Sequence, residues 1–128
     1  MTTEHPEEGA RKWFFPDGYL PEPNADGDLK SHEALMLLNT GTQPARAQID
    51  VYFEDRAPAK GLVIEVGAER VCCLHMDQPS QLNGLCIPPL TQYALRVLSD
   101  RKVIAQFGRL DASQPNLAYY CTMGYACD

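Results

Sequence analysis

Apolar and polar side chains alternate along much of the chain with the period of a half-buried strand. In RAQIDVYFED, residues 46–55, Ile49, Val51 and Phe53 share one face while Gln48, Asp50 and Tyr52 share the other, because successive strand side chains point to opposite sides of a sheet. GLVIEV at 61–66 groups Leu62, Ile64 and Val66 in the same way, and EDRAPAKG between the two runs supplies a hairpin connection. RVCCLH at 70–75 is followed by a proline-bearing loop from Gln78 to Pro89. QYALRVLS and KVIAQF then flank Ser99, Asp100 and Arg101, which read as a tight hairpin turn. The last run, LAYYCTMGY, sets Leu117, Tyr119, Cys121, Met123 and Tyr125 on one side.

Earlier in the chain the pattern is less regular. RKWFFPDGYLPEPNADGD reads as the end of an aromatic strand and then turns, since Pro16, Pro21 and Pro23 fix their own backbone angles and donate no ladder hydrogen bond. SHEALMLLNTG, residues 31–41, places three polar side chains directly before an apolar run. A helix there would have only about two turns, Ser31 lacks an acidic partner at Ala34 for a capping box, and Asn39 to Gly41 end the run. It is therefore assigned as a buried strand.

Seven or eight short strands with frequent turns predict an all-β domain, a small antiparallel β-sandwich of jelly-roll-like form. Residues 1–11 are expected as a flexible tail and 12–128 as the single domain, a length that builds one ordinary core. Several strands carry apolar groups on both faces, whereas a sandwich interior uses one face of each sheet. The surplus predicts a subunit interface, where aromatic and Met side chains are enriched.

Charge and cysteine content narrow the functional classes. The formal net charge is -6 and the 11 Lys and Arg are scattered, so no basic stripe gathers phosphates and nucleic acid is not an expected partner. No stretch of about eighteen apolar residues occurs, and the N-terminus is polar and acidic, so a cytoplasmic protein is expected. The five cysteines, at 72, 73, 86, 121 and 127, form no CxxC pair and read as reduced thiols, several of them buried as small hydrophobes.

The candidate chemistry lies at the ends of strands. In AQFGRLD, Arg109 and Asp111 stand two positions apart and project to the same side. They either pair with each other or offer a ligand a planar fork of donors and a carboxylate acceptor. Ser31, His32 and Glu33 contain triad residue types, but consecutive side chains cannot converge as nucleophile, base and orienter. His32 and Glu33 do not begin an HExxH motif, because position 36 is Met. Neither a metal, a cofactor nor a catalytic role is assigned, and binding outranks catalysis. Trp13, Phe14 and Tyr19 add aromatic surface, and rings beside Arg, Asp, Glu and His suit a small polar metabolite, with carbohydrate compatible.

The ordered landmarks WFFPDGYLP at 13–21, SHEALMLLNTG at 31–41, IDVYFEDRAP at 49–58, ERV at 69–71 and AQFGRLD at 105–111 resemble those of the sensory rhodopsin transducer family. The resemblance runs from about residue 12 to residue 127. It implies a small β-sandwich assembled as a cyclic homotetramer, a membrane receptor or other signalling protein as partner, and small-molecule binding, with sugars or their derivatives as the ligand class. It also implies a ligand-binding set of Ser31, His32, Glu33, Arg109 and Asp111. The founding member carries histidine and threonine at the positions of Phe107 and Gly108, so Phe107 either lines the site by stacking or joins the core. The expectation is a non-catalytic ligand sensor, with Trp13 and Phe107 completing the site. A structural or protein-interaction tetramer is the alternative, with a DNA-binding regulator or a carbohydrate-active enzyme behind it.

Overall fold

From Tyr93 to Phe107 every odd-numbered residue except Arg101 is buried. That two-residue rhythm, in phase on both sides of Arg101, belongs to one strand. The computed structural model, which describes residues 8–23 and 29–127, has eight strands and a single short 3-10 turn at Pro79–Gln81. They are β1 (Ala10–Tyr19), β2 (His32–Asn39), β3 (Ala45–Phe53), β4 (Ala59–Val66), β5 (Arg70–His75), β6 (Gln92–Asp111), β7 (Ala118–Met123) and β8 (Tyr125–Cys127).

All pairings are antiparallel, and β6 takes part in both layers of a sandwich. Its first half lies between β1 and β3, with Trp13 opposite Val97 and Ile49 opposite the same residue. Its second half lies between β2 and β7, with Leu35 and Thr122 both opposite Phe107. One layer therefore runs β4-β3-β6-β1-β8 and the other β5-β2-β6-β7. Trp13, Phe15, Ile49, Val51, Leu95 and Val97 from the first layer meet Leu35, Leu37, Leu74 and Phe107 from the second in one core. Burying each large apolar side chain contributes about 1.5–3 kcal/mol.

The expected β-sandwich is observed, with four local corrections. Ser99, Asp100 and Arg101 form no hairpin turn but continue β6. They lack the Asn-Gly or Asp-Gly chemistry of a two-residue turn, and the Asp100 carboxylate accepts a hydrogen bond from the Arg46 backbone N–H at 2.8 Å. Pro16, Asp17 and Gly18 likewise stay within β1, absorbed by a register shift between Phe15 and Gly18. β1 begins at the buried Ala10, two residues before the expected domain boundary; residues 1–7 of the expected tail, His5 among them, lie outside the described residues. The cysteines are all unpaired, but only Cys72 is partly buried and the other four are exposed.

The last run divides into β7 and β8, which belong to different layers. The chain passes between layers at Gly124, where an added Cβ would stand 2.6 Å from the Phe15 ring and 3.0 Å from the Phe14 carbonyl oxygen. A side chain at Gly124 would push β8 off β1.

The outer faces of the layers differ. On β5-β2-β6-β7 one cross-strand row holds Cys73, Met36, Gln106 and Met123, and the next holds Val71, Leu38 and Ile104. Val71, Met123 and Tyr119 are 66%, 52% and 67% exposed. On the other layer the outer face carries Lys12, Gln48, Asp50 and Arg96. Asp50, on the face of β3 opposite Ile49 and Val51, is wholly buried beneath Arg96, which it pairs with at 2.7 Å. Gln48 and the Gly61 N–H donate to its other oxygen at 3.0 and 3.1 Å.

Burial alone would raise the Asp50 pKa, but Arg96, Gln48 and Gly61 outweigh it and hold the carboxyl below its ordinary 3.8. A depressed folded-state pKa means that this stabilisation is complete above about pH 4 and is lost as pH falls through the lower, folded value. Asp50→Asn is therefore expected to lower the urea midpoint at pH 7, with a deficit that narrows below pH 4. A constant deficit across that range, measured by urea titrations at stepped pH, would contradict the assignment.

Candidate functional site

Glu33 alternates inward on β2 and stands opposite Arg109 of β6. Its side chain has no exposure to solvent, so its carboxylate must be satisfied from within the chain. Arg109 Nε donates to Oε2 at 2.8 Å, and the Tyr93 hydroxyl donates to Oε1 at 2.6 Å. The Tyr19 backbone N–H bridges both oxygens at 3.1 and 3.0 Å. Residues from β1, β2 and both ends of β6 thus converge on one anion.

Gly18 makes this geometry reachable. An added Cβ there would lie 2.4 Å from the Tyr93 ring, so glycine lets the ring lie flat on β1 and carry its hydroxyl to Glu33. Burial first, and the Glu33 charge second, push Tyr93 far above the ordinary tyrosine range. It remains a protonated donor at any physiological pH.

Arg109 reaches outward from the network. Its Nη2 donates to the Asp17 carbonyl oxygen at 3.2 Å and lies 3.5 Å from the Asp17 carboxylate. The guanidinium stands over the Tyr120 ring, 5.4 Å from its centroid. Beside it, a cleft of about 330 Å³ opens between β1 and β7, lined by Phe14, Phe15, Asp17, Phe107, Tyr120 and Tyr125 among others. The Phe15 and Phe107 rings inside it are 5.9 Å apart.

The structure brings Glu33 and Arg109 together and sends the other expected residues elsewhere. Asp111 does not pair with Arg109; its carboxylate accepts from the Ser113 N–H and hydroxyl, which hold its pKa below the ordinary value. Ser31 accepts from the Ala112 N–H at 2.9 Å and so ties the approach to β2 to the end of β6. His32 faces outward, away from Glu33, with its Nδ1 2.9 Å from the Lys30 carbonyl oxygen and its ring 4.9 Å from that of His75. Trp13 is a core residue whose Nε1 donates to the Val103 carbonyl oxygen at 2.9 Å. Phe107 is also buried, and its ring borders the cleft. Among the described residues, no three His, Cys, Asp or Glu side chains form a group suited to a metal ion.

Tyr93 and Asp17 were not singled out from the sequence. A tyrosine at an inward strand position is itself a signal, because a buried phenol requires a hydrogen-bond partner. Asp17 was concealed by Pro-Asp-Gly, which has the composition of a turn.

Known proteins share this arrangement of strands. A family model described as Anabaena sensory rhodopsin transducer matches residues 8–126. The crystal structure of Thermotoga maritima 1070 is similar with a TM-score of 0.82 at 36% identity, covering 92% of this chain and 95% of that one. The Anabaena sensory rhodopsin transducer is similar with a TM-score of 0.72 at 27% identity, covering 83% and 92%. No curated protein matches the chain.

Removing one partner of a buried ion pair costs about 3–5 kcal/mol, so Glu33→Gln is expected to destabilise the fold by about 3 kcal/mol. Tyr93→Phe, which leaves one carboxylate oxygen short of a donor, should cost about 1.5–3 kcal/mol. Urea unfolding of both variants and their double mutant checks this, and the double mutant should cost less than the sum because the two side chains share one interaction.

Proposed function

The chain belongs to the Anabaena sensory rhodopsin transducer family, and on that premise we propose that it is a non-catalytic signalling transducer working as a homotetramer. Its assembly surface is the outer face of β5-β2-β6-β7, and its downstream partner is a membrane receptor or another signalling protein. The observation that supports this reading is the composition of that face. A solvated antiparallel face ordinarily alternates to polar residues, but this one presents Val71, Leu38, Met36 and Met123 in adjoining rows, with Tyr119 beyond them. Exposed apolar patches of this kind mark interaction sites.

Glu33, the residue at the centre of the expected ligand set, supports the interaction reading over a ligand-binding role for that set. Its hydrogen-bonding capacity is taken up by Tyr19, Tyr93 and Arg109 of the same chain. A second reading, sensing of a small polar metabolite such as a sugar, is favoured by one different observation: the aromatic cleft beside Arg109. No helix among the described residues is long and apolar enough to cross a membrane.

Light scattering of the purified chain is expected to give a mass of four 14.2 kDa subunits. The double substitution Val71→Glu with Met123→Glu places charges on the proposed interface and should dissociate the tetramer without unfolding its subunits. Val63→Glu, on a 44% exposed valine of β4 in the other layer, should leave the mass unchanged. A monomeric native protein, or dissociation by the control alone, would overturn the assignment.

A further inference from the structure

We propose that the cleft between β1 and β7 binds a small alkylated organic cation of the quaternary ammonium class. This rests on the small-molecule reading and narrows it to one ligand chemistry. Phe15 and Phe107, whose rings stand 5.9 Å apart, line the space together with Tyr120, and Phe14 and Tyr125 border it from β1 and β8. An aromatic face carries negative charge density, and several rings around a weakly hydrated cation recover the attraction that water would otherwise give it. The molecule already contains one such contact, since the Arg109 guanidinium sits 5.4 Å from the Tyr120 ring centroid.

Charge at the mouth has the matching sign. The Asp17 carboxylate borders the cleft and its side chain is 58% exposed. Arg109 lies 3.5 Å from Asp17, but its Nε is committed to the buried Glu33 at 2.8 Å. Two carboxylates thus surround one guanidinium, leaving a negative charge in excess beside the rings. A hydroxyl-rich ligand finds less here, because the Phe15 and Phe107 side chains offer no hydrogen-bonding group. The volume of about 330 Å³ is at the lower end of small-molecule sites, enough for an ion the size of choline.

Calorimetric titration of the full chain with choline chloride, with its neutral isostere carrying carbon in place of nitrogen, and with methyl glucoside tests the proposal. Choline should bind saturably and about tenfold more tightly than the isostere. Tyr120→Leu and Asp17→Asn should each weaken choline by about fivefold or more while leaving the oligomeric mass unchanged. Equal binding of choline and isostere, or a preference for the glucoside, would overturn the cation class and leave small-molecule sensing in place. Binding of none of the three would overturn both. Full choline affinity in Tyr120→Leu would place the ion outside this cleft and overturn the proposal.

Discussion

A carboxylate without access to water has to be completed by the protein around it, and Glu33 imposes that requirement on three strands at once. Its partners come from the end of β1, the start of β6 and the end of β6. Because β6 crosses from one layer to the other, the two residues that it contributes are separated by most of its length. Their convergence on Glu33 fixes how far the strand bends and how close β1 approaches it. Gly18 is part of the same requirement, since the Tyr93 ring occupies the space of the missing side chain.

The two faces of β2 consequently have separate tasks. Inward, Glu33, Leu35 and Leu37 complete the core and its one buried ion pair at this end. Outward, His32, Ala34, Met36 and Leu38 belong to a face with few charges. The polar residues of SHEALMLLNTG are therefore not one functional rim. Glu33 and Ser31 secure the fold while His32 faces away from them.

Much of the fold was legible because burial imposes a period of two on each strand. β3 and β4 follow directly from that period, and the apolar surplus on β2 and β7 was visible as well. What failed was local reading of features decided by distant contacts. Ser99 to Arg101 contain turn-forming residue types, but the inward sequence Tyr93, Leu95, Val97, Val103, Ala105, Phe107 keeps its phase across them. Asp111 is the nearest carboxylate to Arg109 in sequence, whereas Glu33 is the nearest across the β2–β6 register. Strand pairing carries that information, and neither residue's neighbours do. The cysteines were misplaced for a related reason: Cys73 and Cys121 lie on β5 and β7 facing outward, where the surroundings are apolar without being covered by this chain.

A strand shared by two layers also governs how the chain can fold. β6 pairs with β1 and β3 in one half and with β2 and β7 in the other, and almost all of those partners are remote in sequence. Loop-closure entropy must be met before such pairings repay it, which places this topology among slow folders. Neither layer has a complete set of hydrogen-bonded neighbours without β6. The sandwich is consequently a single cooperative unit, in which loosening one layer loosens the template of the other.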